Sequence, residues 1–285
     1  SPAIALFLGL ALGMTAGQPF PKFSKKTSKY LLQFSVVGLG FGMNLHESLR
    51  TGKEGMLFTV VSVVAVLALG MYLGKRLMMD RKTAYLISAG TAICGGSAIA
   101  AVAPVVKAND NEMSMSLGTI FILNAIALFI FPPIGHLLGM SQEQFGMWAA
   151  IAIHDTSSVV GAGAAYGEQA LEIATMVKLT RALWIIPVTI ATMFIFKQKG
   201  AKISIPWFIF FFILAMVANT FLTIPETITG SLVWLAKKGL TVTLFLIGAG
   251  LSRKVIKQVG VRPMVQGVVL WIFIGLISLG VIMLV

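Results

Sequence analysis

The chain has 285 residues, 57% of them hydrophobic and 11% charged, with a mean hydropathy of +0.92. A soluble domain carries about 25% charged residues, so this composition excludes an ordinary soluble protein. The net charge of +12 lies in short loops beside apolar blocks, which points to membrane orientation and away from nucleic acid.

Taken in chain order, the apolar residues fall into ten segments, at roughly 2–17, 30–45, 55–74, 83–106, 114–139, 145–166, 172–196, 204–222, 237–252 and 263–285. Most have the length that spans about 30 Å of hydrocarbon. The expectation is an all-α polytopic membrane protein, one transmembrane domain over 1–285, in a bacterial plasma (inner) membrane. Residues 2–17 lack a basic stretch ahead of them and do not read as a signal peptide. Lys and Arg in alternate connections total fifteen on one side and three on the other. By the positive-inside rule, the loops at 22–29, 75–82, 197–202 and 253–262 are cytoplasmic. That orientation puts residue 1 outside and predicts a further native helix upstream.

An internal correspondence is also present. Residues 34–52 align with 242–260 at an offset of 208, pairing Gly40, Gly42 and Gly52 with Gly248, Gly250 and Gly260. The paired segments are seven apart and so oppositely oriented, as in the inverted repeats of secondary transporters. By analogy with Lys29, Lys237 and Lys238 are expected at a helix start near the interface.

Charged and polar groups at bilayer depth are costly and call for an explanation. In the fourth segment, AICGGSAIAAVAP places Gly95, Gly96 and Ser97 together, with Pro104 beyond. One reading is an interrupted helix, with Ser97 capping a half-helix whose N–H groups form an anion site. The other is close helix packing on small residues. In IAIHDTSSVVGAG, Asp155 is expected near the middle of the sixth segment, with His154 and Ser158 on one helix face. This suggests a proton or substrate station, or a satisfied interhelical contact. Lys178 and Arg181 are three apart. They face a cavity if their segment starts near Glu172 and are interfacial if it starts near Leu179. Asn44, Asn124 and Asn219 are weaker signals. Pro132-Pro133 is expected to end or kink the fifth segment, and Phe208–Phe212 to face lipid. No phosphate loop, metal-ligand spacing or selectivity filter occurs, so no cofactor or metal is expected. A hydrolase on Ser158, His154 and Asp155 is disfavoured, because all three fall within five residues of one segment.

AICGGSAIAAVAPVVKA, IHDTSSVVGAG, MVKLTRAL and ISIPWF, in that order, resemble the YeiH-type family of bacterial inner-membrane proteins, whose name assigns them to sulfate export. The resemblance covers essentially the whole chain. Asp155 replaces the family's usual Glu, and Ser157-Ser158 replaces Ala-Gln. The resemblance implies a secondary transporter of a small anion, sulfate or an organosulfonate, with an inverted-repeat fold and no enzymatic activity. Gly95, Gly96, Ser97, Asn124, Ser157, Ser158, Lys178 and Arg181 would then bind substrate, and His154 and Asp155 would couple to H+ or Na+. The alternative is a Na+- or H+-coupled carrier of a neutral or carboxylate solute. The expected partners are the anion, the coupling ion and the lipid bilayer, with a homodimer left open.

Overall fold

The computed structural model describes residues 2–15, 20–46, 56–196, 207–222, 224–250 and 259–284. Gly52, the basic loop at 197–202 and residues 251–258 lie outside them. The helices are α1 (Pro2–Thr15), α2 (Pro21–Gly40), α3 (Met56–Arg76), α4 (Arg81–Ala92), α5 (Gly96–Val102), α6 (Asp110–Leu137) and α7 (Gln142–Ala152). They continue as α8 (Thr156–Tyr166), α9 (Glu168–Ala182), α10 (Ile185–Ile195), α11 (Trp207–Phe221), α12 (Glu226–Gly250) and α13 (Val261–Leu284). Among the described residues there is no strand. Among the described residues, five helical stretches, 58–76, 110–137, 168–195, 226–250 and 261–284, are long and apolar enough to cross a membrane.

Local sequence explains where several helices begin. Asp80 accepts hydrogen bonds from the N–H groups of Lys82 and Thr83 at the start of α4. Asn109 with Glu112, and Ser141 with Gln144, form reciprocal capping boxes at α6 and α7. At the other end of α6, Gly139 takes φ +63°, and the Met140 N–H closes back on the Gly135 carbonyl.

The helices pack as two groups. In the first, α12 lies against α1 and α2, and α11 against α2. In the second, α9 packs on α7 and α8, α4 on α3 and α6, and α13 on α3, α4, α6 and α7. The groups meet where α8 touches α1 and α12. Within the first group, Gly9 and Gly13 of α1 press against the carbonyls of Phe245 and Ala249, and Gly248 of α12 presses against that of Leu6. Small residues on both faces let the backbones approach closely.

Three sequence expectations are corrected here. Of the two outcomes expected at Pro132-Pro133, an end is excluded, because both lie inside α6, which continues to Leu137. Phe210 and Phe211 face outward, but Phe212 is buried at the contact of α11 with Gly40. Lys237 does not start a helix: α12 begins at Glu226, so Lys237 lies three turns in, where it pairs with Glu168.

Candidate functional site at two crossing helix breaks

Two of the apolar segments are split into half-helices by residues that leave the helical region, whereas Leu183 and Trp184, between α9 and α10, keep helical dihedrals. The first break separates α4 from α5. Ile93 leaves the helical region with φ −120° and ψ −86°, and Gly95 takes φ +64° and ψ −123°. Only a residue without Cβ adopts that second conformation at little cost. The Gly95 N–H reaches back to the Gly90 carbonyl, and Pro104 follows α5 by two residues. The interruption expected at Gly95–Gly96 is therefore present. Its cap is not Ser97, which lies inside α5 and is exposed, while Gly95 begins the helix without a side-chain cap.

The second break separates α7 from α8 and corrects the sequence reading of Asp155. Ile153 is extended, and Asp155 is the N-cap of α8 instead of a mid-helix carboxylate. Its carboxylate accepts from the Ser158 N–H at 3.4 Å and from the Ser157 hydroxyl. The helix-face relation expected between His154 and Ser158 does not apply, because no helix runs through 153–155. His154 and Asp155 do not pair. The His154 ring is fully buried with neither nitrogen hydrogen-bonded, while its backbone N–H donates to Asn124 Oδ1 at 3.0 Å.

The two breaks touch. A Cβ built on Gly95 would lie 3.3 Å from the carbonyl oxygen of His154 and 3.2 Å from Ile120. Asn124 sits one turn beyond Ile120 on α6, so one face of α6 contacts both interruptions.

A break in lipid frees backbone carbonyls that need donors, and α9 supplies them. Lys178 Nζ donates to the carbonyls of Ile153 at 2.7 Å and Ala150 at 3.2 Å, at the end of α7. Arg181 Nε donates to the carbonyl of Ala92 at 2.9 Å, the last residue of α4, and Nη1 donates to Ser62 Oγ at 3.1 Å. Because α9 begins at Glu168, both cations lie well inside a helix, 0% and 1% exposed. The interfacial alternative therefore falls away. Neither forms a salt bridge among the described residues. Arg181 Nη2, Asn124 Nδ2 and Thr91 Oγ1 are buried without a hydrogen-bond partner among the described residues.

The structure thus brings Gly95, Asn124, His154, Asp155, Lys178 and Arg181 into one crossing. Ser157 and Ser158 serve the Asp155 cap, and Gly96 packs against Phe121 and Leu117. Asn219 lies elsewhere, donating to the Met43 carbonyl. Sequence reasoning missed Ser62 and Gln266, whose Nε2 donates to the carbonyls of Gly70 and Ala84 and to Ser88 Oγ. Each is one of the few polar residues in an apolar helix, and that signal could have found both.

A multi-pass helical membrane protein with two broken helices crossing at buried cations is what the fold and this site define. A family described as conserved hypothetical protein 698 matches residues 1–267. The chain is 65% identical to a UPF0324 membrane protein of Bacteroides thetaiotaomicron, over 99% of this chain and 86% of that one. It is 57% identical to one from Porphyromonas gingivalis (100% and 88% covered) and 50% identical to one from Geobacter sulfurreducens (97% and 89%). The chain belongs to this UPF0324 family, with which the YeiH-type resemblance agrees. No solved structure matches it.

Proposed function

We propose that this protein is a secondary active transporter of a small anion in the bacterial inner membrane, with sulfate or an organosulfonate as substrate. The observation that carries this reading is the crossing itself, where a buried guanidinium, Arg181, has one nitrogen without a partner among the described residues. Irregular backbone at membrane depth is tolerated where it lines a site, and broken helices form the binding sites of many transporters. The α5 helix has only seven residues. Its backbone dipole is correspondingly small, so the attraction for an anion comes chiefly from Arg181, with Lys178 adding to the field. Asn124, Ser157, Ser158 and the backbone of Gly95–Ser97 line the substrate region, and His154 and Asp155 form the coupling station. On this reading the ten apolar segments are ten crossings, and the group of α1, α2, α11 and α12 moves against the group that carries the breaks. The inverted repeat rests on the matched glycines. Gly40 and Gly248 both sit at close helix contacts, against the carbonyls of Phe212 and Leu6.

The test is uptake of labelled sulfate into proteoliposomes, with and without a pH gradient. Saturable flux is expected, together with a loss of at least about tenfold in Arg181→Lys, which keeps the charge but not the second guanidinium nitrogen. Unchanged flux in that variant would sink the anion reading. Sodium-dependent flux without sulfate competition would favour a cation-coupled carrier of another solute.

A further inference from the structure

We infer that Lys178 and Arg181 are resident counter-ions that fill the cation seat between the two broken helices, so that no sodium or potassium ion binds at the crossing. The C-terminal ends of α4 and α7 both point at one face of α9, where the two cations stand one turn apart. A helix C-terminus presents unpaired carbonyls and the negative end of the backbone dipole. At each end here a nitrogen cation of α9 already takes those carbonyls. Lys178 Nζ bonds Ile153 and Ala150 at 2.7 and 3.2 Å, and Arg181 Nε bonds Ala92 at 2.9 Å. Interrupted membrane helices commonly direct such carbonyls at a transported or coupling cation. An alkali ion in this position would have to displace the ammonium and would meet its charge at contact distance. The carboxylate beside the second break, Asp155, is engaged by the Ser157 hydroxyl and by the Ser158 N–H. The K-x-x-R spacing is therefore a clamp matched to the separation of two helix ends. Its role does not depend on what is transported.

The sole cysteine gives a readout independent of flux. Cys94 lies in the first break and is 1% exposed. In the full chain reconstituted in nanodiscs, alkylation of Cys94 by N-ethylmaleimide should be slow. It should be unchanged when choline is replaced by sodium or potassium at constant ionic strength. Lys178→Gln and Arg181→Gln should each speed it at least about tenfold, because a carbonyl cluster left without its cation opens more often. In Lys178→Ala, n-butylammonium should slow it again and tetramethylammonium should not. Protection of the unsubstituted chain by sodium or potassium, or unaltered labelling in both Gln variants, would overturn the inference. The alkali comparison needs no variant, so it decides the matter even if a substituted chain fails to fold.

Discussion

Gly95 lies against the backbone of His154, so closely that a methyl group on Gly95 would stand 3.3 Å from the His154 carbonyl oxygen. Each helix break is thus the packing surface of the other. Gly95→Ala would strain a backbone at φ +64° and push this contact apart. A loss of about 1–3 kcal/mol is expected in unfolding experiments in detergent. Gly230→Ala, on α12 with no atom within 4 Å of the added carbon, should be neutral or stabilising by up to about 1 kcal/mol. Equal effects of the two substitutions would contradict the packing argument.

Asp155 combines two roles that substitution can separate. It caps α8 through its carboxylate, and it is the proposed coupling group. Asp155→Ala should cost about 0.5–2 kcal/mol through the lost cap, whereas Asn is as good a cap and should preserve stability. If Asp155 couples transport to protons, Asp155→Asn should abolish acceleration by a pH gradient while leaving the thermal midpoint near that of the parent chain. Gradient-driven flux that survives in the Asn variant would remove Asp155 from the coupling role.

Asn124 holds the second break to α6 by accepting the His154 N–H at 3.0 Å. In Asn124→Leu that buried donor loses its acceptor, for an expected cost of about 1–3 kcal/mol. Chemical denaturation followed by tryptophan fluorescence would measure it. No loss of stability would mean that the N–H finds another partner.

Gln266, fully buried on α13, donates to Gly70 of α3 and to Ala84 and Ser88 of α4. Gln266→Leu should remove the donor that ties α13 to both helices, although the Ala84 carbonyl keeps the Ser88 hydroxyl, and loosen α13 from the pair at about 0.5–1.5 kcal/mol. Faster hydrogen exchange in α3 and α4, with α1 and α12 unaffected, is the expected pattern. Uniform exchange across both helix groups would rule against this local role.

Much of this was legible in composition and spacing. The apolar blocks anticipated an all-helical membrane protein, although α2 and α12 begin well before the segments that predict them, and Gly95-Gly96 marked a place for either an interruption or close helix packing. The second interruption was not legible. IAIHDTSSVV reads as continuous helix by periodicity, and Asp155 as a charge within it, because an N-cap signal inside an apolar segment looks the same as an intramembrane carboxylate. Lys178 and Arg181 stood out as a pair of charges in an apolar segment, but the groups that answer them are main-chain carbonyls of Ala92, Ala150 and Ile153, 25 to 89 residues away. A carbonyl has no residue identity to read.

The amino-acid sequence by itself determined that this chain enters a membrane, because hydrophobic content acts locally, and it marked Gly95-Gly96 as a place for either a helix break or close helix packing. Which backbone groups those breaks expose to one another, and that two cations of α9 answer them, was decided only by the tertiary structure. Hydrogen bonding to the main chain depends on where segments cross in space, and that crossing leaves no periodic trace along the chain.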